Sequence, residues 1–103
     1  MNRIEQLQAF LKDSPGDSFL LHALALEYIK AGDDGGARSC FEQNLERSPQ
    51  YVATYYHLGK LLERAGDTDE AVRIYSLGME QAAAAGDNHA LSELRSVYED
   101  LIY

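Results

Sequence analysis

Apolar residues recur along the chain at the spacing of an α-helix, and the same arrangement occurs twice. Each set occupies positions i, i+3, i+4 and i+7, which lie on one face of a helix with about 3.6 residues per turn. The first set is Leu21, Leu24, Ala25 and Tyr28, and the second set, 34 residues later, is Tyr55, Leu58, Gly59 and Leu62. The pattern therefore predicts two amphipathic helices at a fixed sequence interval.

Each of these helices is followed by a predicted turn and a second helix. Gly32 and Gly66 lie where the first helices end, because glycine adopts the left-handed conformation that closes a last turn. Asp67 is the predicted N-cap of the next helix, and Glu70 completes a capping pattern. The second helices place a small residue and an aromatic ring on their inner faces, namely Ala37 with Phe41 and Ala71 with Tyr75. Two helix hairpins are therefore predicted.

Helices are also predicted at both ends of the chain. Residues 3–12 place Ile4, Leu7 and Leu11 on one face and correspond to the second helix of a preceding unit. Asp87 or Asn88 is expected to cap a final helix, which follows no repeat register and is interpreted as a closing cap. Its apolar stripe is Leu91, Leu94, Tyr98 and Leu101. We predict a single domain over 1–103, made of a half-repeat helix (1–15), two repeats (18–51 and 52–85) and a capping helix (87–103).

These hairpins resemble the tetratricopeptide repeat family, whose unit is a helix, a turn and a second helix. The resemblance covers residues 18 to 85 through the stripes and inner-face residues named above and through Pro49, which ends the first unit. The chain lacks the family's first-helix Trp, and it has Asn44 at a usually small position and Ala83 in place of the closing Pro. The resemblance implies an all-α fold, a right-handed superhelix of stacked helix hairpins, and a non-catalytic role in protein–protein interaction.

In this family, first-helix positions outside the core stripe line a concave groove that takes an extended or helical peptide. The resemblance implies that the partner-binding residues are Phe19, His22, Leu26, Ile29, Tyr56, His57, Lys60 and Arg64. Two alternatives exist for the apolar Phe19, Leu26 and Ile29: they pack as core under the N-terminal helix, or they form a patch through which the protein becomes a homodimer. For Lys60 and Arg64 the alternative is a solvated charged face.

The groove positions also give an expectation about the ligand. His22 and Leu26 stand where the family members that clamp a chaperone's terminal carboxylate have Lys and Asn, so chaperone docking is not expected. An apolar first half beside the basic Lys60 and Arg64 suits a peptide with one aliphatic or aromatic anchor followed by an acidic group. The expected partner is therefore a protein or peptide.

Gly59 is expected to lie where the paired helices approach most closely, because Ala25 fills the same place in the first repeat. On this analogy, alanine at Gly59 should be tolerated or mildly stabilising, whereas leucine should overpack the interface.

The composition argues against several other classes of protein. The formal net charge of −8 and the pI near 4.7 disfavour binding to nucleic acid or to an anionic membrane, since both require clustered Lys and Arg. No apolar stretch reaches the roughly 20 residues of a membrane span. Cys40 is the single cysteine, which fits a protein of the cytoplasm.

No motif predicts catalysis or a metal site. His22, His57 and His89 form no metallohydrolase pattern, and the acidic stretch at residues 32–36 lacks the ligand spacing of a calcium loop. Cys40 is interpreted as a packing residue, because free cysteines are often buried. We predict no cofactor, no metal and no enzymatic activity.

Overall fold

In a computed structural model, which describes residues 2–103, the chain forms six α-helices over the described residues. They are α1 (Arg3–Asp13), α2 (Ser18–Lys30), α3 (Asp34–Arg47), α4 (Ala53–Arg64), α5 (Thr68–Ala85) and α6 (Asn88–Ile102). The helices group into two compact units, of which the first ends at Ser48 and the second begins at Pro49. The predicted helix hairpins are α2 with α3 in the first unit and α4 with α5 in the second.

Side-chain caps set the starts of most helices. A carboxylate or amide oxygen of the N-cap accepts a hydrogen bond from the backbone amide three residues later at Asn2, Asp17, Asp33, Asp67 and Asp87. Such a bond satisfies one of the amides that a helix leaves unpaired in its first turn. The predicted cap at Asp67 is confirmed, and Asp87 rather than Asn88 caps α6.

Glycines in the left-handed region close three of the helices. Gly32 and Gly66 have φ angles of 81° and 83°, as predicted for the ends of α2 and α4. The amide of Asp33 then donates to the carbonyl of Tyr28 at 2.8 Å, so the residue that caps α3 also satisfies the end of α2. Gly86, with a φ of 70°, ends α5 in the same way.

The core of the first unit lies between α2 and α3. Leu21, Leu24 and Ala25 of α2 are buried, as are Ala37 and Phe41 of α3. Helix α1 packs against α2 and contributes Leu7, whose side chain is buried, while Ile4 and Leu11 on the same face are half-buried. The side-chain amide of Gln8 on α1 donates to the Tyr28 hydroxyl of α2 at 2.9 Å. Helix α1 therefore covers one side of α2.

In the second unit α5 packs against both α4 and α6. Ala71 and Tyr75 of α5 are buried together with Leu58 and Leu62 of α4, and α6 adds the buried Leu94. A small residue permits the close approach of α6: a Cβ on Gly78 would lie 2.6 Å from the Cβ of Tyr55 and 3.1 Å from the Cδ1 of Leu94.

Gly59 lies at the closest approach of α4 and α5, as predicted, but the expectation that alanine would be tolerated there is wrong. A Cβ on Gly59 would lie 2.0 Å from Cε1 of Tyr75, well inside van der Waals contact. The Tyr75 ring cannot turn aside readily, because its hydroxyl donates a hydrogen bond to the Glu63 carboxylate. The analogy with Ala25 did not allow for the different ring in the second repeat, where Tyr75 stands at the position of Phe41.

We predict that Gly59→Ala lowers the free energy of unfolding by about 1–3 kcal/mol, the usual range for overpacking a well-packed core. Chemical denaturation monitored by circular dichroism measures this change. Gly35→Ala in α3 is the matched control, since a Cβ there would meet only Asp33 Oδ1 at an ordinary 3.8 Å. The control should be neutral or stabilising, because alanine favours helix over glycine by up to about 1 kcal/mol. Equal stability of Gly59→Ala and wild type would contradict the prediction.

Candidate functional site

The four predicted site residues of the first unit lie on α2. Phe19 is 64% exposed, so it does not form core under the N-terminal helix, whereas His22, Leu26 and Ile29 are half-buried. The His22 ring rests against the buried Phe41 of α3, with the ring centroids 5.6 Å apart and the planes tilted by 53°. This contact fixes the position of the imidazole on the surface of the unit.

The side of α2 that meets α1 carries charged residues. A shallow pocket of about 290 Å³ is lined there by Asn2, Arg3, Ile4, Glu27, Lys30 and Ala31. Glu27 lies 3.6 Å from Lys30 and 4.0 Å from Arg3, so the three charges leave one net positive charge. Both cations are largely exposed, so water screens this charge and the ion pairs alike.

The four predicted site residues of the second unit lie on α4. Tyr56 and His57 are half-buried, with their rings edge to face at 5.6 Å, while Lys60 and Arg64 are exposed. Lys60 Nζ lies 3.5 Å from Glu63 Oε2, the same carboxylate oxygen that accepts from the Tyr75 hydroxyl. Burial, followed by this hydrogen bond, raises the pKa of Tyr75 far above its ordinary value, so the hydroxyl remains a donor.

Two pockets that share Tyr56, His89 and Glu93 lie between α4 and α6. The first, of about 200 Å³, is lined by Val52, Ala53, Tyr56, Asp87, His89, Ala90, Glu93 and Leu94. The second, of about 340 Å³, is lined by Tyr56, His89, Ser92, Glu93, Ser96 and Val97. Because they share these three residues, we treat the two pockets as one site, which we call the α4–α6 groove.

Glu93 is the central charge of this groove. Its Oε1 lies 3.5 Å from Nε2 of His89, and its charge also acts on His57 of α4. Burial lowers the pKa of His57 from the ordinary 6.5, and the attraction of Glu93 offsets only part of that shift. His57 is therefore neutral at pH 7 and does not compensate the carboxylate.

The α4–α6 groove only partly matches the predicted site of the second unit. Tyr56 lines it and His57 interacts with Glu93 across it, whereas Lys60 and Arg64 are not among the residues that line its two pockets. The contribution of α6, chiefly His89, Glu93 and Val97, was not predicted from the sequence.

A sequence signal for α6 does exist at a different interval. A shift of 36 residues, instead of 34, aligns Tyr55, Leu58 and Leu62 with Leu91, Leu94 and Tyr98. Helix α5 has 18 residues and the equivalent α3 has 14, and a shorter connection to α6 offsets part of this difference. Helix α6 thus carries the large residues of a first-helix stripe, but it has Arg95 at the position of Gly59.

Comparisons with known proteins agree with this architecture of helix hairpins. The family model of the tetratricopeptide repeat matches residues 52–84. A TPR repeat-containing protein of Pseudomonas aeruginosa is 32% identical over 91 residues, which cover 88% of this chain and 87% of the relative. The solution structure of a tetratricopeptide repeat domain protein from Salinibacter ruber is 42% identical, with a TM-score of 0.81, and the match covers 84% of this chain and 88% of that one.

A Bordetella parapertussis protein has the same fold, with a TM-score of 0.83, 24% identity and coverage of 99% of this chain and 89% of that one. The protein is thus an all-α protein built from helix hairpins. It belongs to the tetratricopeptide repeat family, which confirms both the resemblance and the predicted αα-superhelix fold class.

The family supports the coarse part of the functional prediction. Tetratricopeptide repeats form protein-interaction or scaffold modules and are generally not catalytic. Within residues 2–103, no three His, Cys, Asp or Glu side chains are grouped so that they could hold a metal ion. None of the described helices is long and apolar enough to cross a membrane. The cytoplasmic location stays a prediction.

The lowered pKa of His57 predicts a pH dependence of stability. The unfolded chain binds a proton at this site below about pH 6.5 while the folded chain resists it, so acidification through this range destabilises the fold. The variant His57→Gln carries no titrating group and should lose less stability than wild type between about pH 7.5 and about pH 5. Urea denaturation at each pH measures the difference, in which titrations common to both proteins cancel. Parallel stability profiles of the two proteins would refute it.

Proposed function

We propose that this chain is a non-catalytic protein-interaction module that binds a peptide or a partner helix through residues of its first helices, α2 in the first unit and α4 in the second. The observation that carries the proposal is Tyr56, a half-buried aromatic residue that lines both pockets of the α4–α6 groove. A tyrosine held at the mouth of a small pocket can bury a large surface on binding at little entropic cost.

The repeat register extends the proposal to α2. Phe19 and His22 occupy the positions that Ala53 and Tyr56 hold in the second repeat, and both of the latter line the α4–α6 groove. The exposure of Phe19 supports a role in contact with a partner, because large aromatic residues are enriched in interfaces. Leu26 and Ile29 follow on the same helix and complete the proposed face of the first unit.

The partner is a protein or peptide, and neither nucleic acid nor a membrane is proposed. The net charge of −8 disfavours any polyanionic ligand. Lys60 and Arg64 remain part of the proposed face as exposed residues of α4 that lie beyond Tyr56 and His57 along the helix.

Replacement of Tyr56 tests the proposal. Affinity capture on the wild-type protein followed by mass spectrometry identifies a partner, and calorimetry with the purified partner then measures its affinity. Tyr56→Ala should weaken binding by about 1–3 kcal/mol, as expected for an aromatic anchor. Tyr103→Ala is the matched control, because Tyr103 is 91% exposed and lines neither pocket of the groove. Wild-type affinity in a folded Tyr56→Ala variant would exclude this face.

Self-association through Phe19, Leu26 and Ile29 is the second candidate function, and the 64% exposure of Phe19 favours it. An exposed aromatic beside two half-buried aliphatic residues forms an apolar patch that a second copy could cover. If it does, sedimentation over a wide concentration range should detect a dimer. Leu26→Glu should then yield a folded monomer, because the patch would have to bury an unpaired charge. A wild-type monomer at every concentration would exclude this candidate.

A further inference from the structure

We propose that the α4–α6 groove recognises a segment in which an aliphatic side chain stands beside a lysine or arginine. The inference rests on the proposed function, since both place a ligand against Tyr56. It concerns the chemistry of that ligand, and the expected charge is opposite to the one that the sequence suggested.

The first pocket of the groove has an apolar interior. Val52, Ala53, Tyr56, Ala90 and Leu94 contribute apolar surface to it. Its volume of about 200 Å³ is below the roughly 300–1,000 Å³ of pockets that enclose a drug-sized molecule. A cavity of this size and lining suits one side chain of an extended segment, and an aliphatic group gains most from burial there.

The charges around this pocket are acidic. Two carboxylates, those of Asp87 and Glu93, line it beside His89, whose Nε2 lies 3.5 Å from Glu93 Oε1. Burial lowers the pKa of His57 and so favours its neutral form. The first turn of α6 contributes about half a positive charge at Asp87, which caps that turn, so the carboxylates outweigh the helix dipole. We call these two carboxylates, Asp87 and Glu93, the rim of the pocket. A cationic group next to the aliphatic side chain of the ligand therefore complements the charge of the rim.

The basic residues of α4 do not reverse this balance. Lys60 lies 3.5 Å from Glu63, which the Tyr75 hydroxyl holds in place, so the Lys60 charge is locally compensated. Neither Lys60 nor Arg64 is among the residues that line the two pockets. A second copy of this chain is a poor occupant on electrostatic grounds, because each copy carries a net charge of −8.

The test titrates two hexapeptides, each with an acetylated N-terminus and an amidated C-terminus, into the ¹⁵N-labelled full-length protein. Nuclear magnetic resonance at low salt detects the binding of each peptide. One peptide carries a leucine flanked by arginines, and the other carries the same leucine flanked by glutamates. The arginine peptide should shift the amides of residues 52–57 and 87–97 in a saturable way, and added salt should weaken its binding. The glutamate peptide should leave these amides unshifted.

Neutral variants isolate the role of the rim. Asp87→Asn combined with Glu93→Gln should weaken binding of the arginine peptide by about three- to tenfold, as expected for two exposed charge pairs. Asparagine caps a helix as well as aspartate does, so α6 should be retained. Asp69→Asn combined with Glu80→Gln changes the net charge equally at exposed sites of α5 and should keep wild-type affinity.

Two peptide results would overturn the inference: stronger binding of the glutamate peptide than of the arginine peptide, or no shift of these amides with either peptide. Equal affinity of the rim variant and the control variant for the arginine peptide would also overturn it. So would amide shifts that depend on protein concentration in the absence of peptide. The last result would assign the groove to a second copy. Failure of the proposed function can be distinguished from failure of this inference. The proposed function fails only if Tyr56→Ala leaves the affinity for the captured partner unchanged. A partner weakened by Tyr56→Ala and unaffected by the rim variant would refute only the inference about ligand charge.

Discussion

The ring of Tyr75 lies directly over the backbone of Gly59, and the spacing of α4 and α5 follows from this contact. With a Cβ at Gly59 only 2.0 Å from the ring, the two helices could not keep their present separation. Leu58 and Leu62 on the same face of α4 are buried at that separation. Gly78 of α5 permits a similar close approach, because Tyr55 of α4 and Leu94 of α6 both lie against its backbone. Two glycines and the rings that cover them therefore determine how closely α4, α5 and α6 pack.

Features that depend on neighbouring residues could be predicted from the sequence. The left-handed Gly32 and Gly66 and the cap at Asp67 follow from local hydrogen bonding and backbone sterics, which a short stretch of sequence already specifies. The buried stripes follow from helical periodicity, and the two in-register copies were enough to identify the family. The requirement for glycine at position 59 could not be predicted in this way. It depends on the ring of Tyr75, which a hydrogen bond to Glu63 holds in place.

The candidate site was less predictable than the fold, for a related reason. Tyr56 could be placed outside the core stripe of α4, because its position relative to that stripe is a property of one helix. Half of the α4–α6 groove, however, comes from α6, and the longer α5 shifts that helix out of the 34-residue interval. The ion pair of Lys60 was equally inaccessible to sequence reasoning, because its 3.5 Å approach to Glu63 depends on how both side chains are oriented beside Tyr75.

Tyr75 and Glu63 link the core of the second unit to the outer surface of α4, and the first repeat has a different pair of residues at the same positions. Moving back 34 residues replaces Tyr75 with Phe41 and Glu63 with Ile29. A buried hydroxyl needs an acceptor, whereas a phenyl ring does not. The hydroxyl of Tyr75 therefore requires an acceptor such as Glu63 on α4. Phe41 places no such requirement on α2, so an aliphatic residue can stand at position 29.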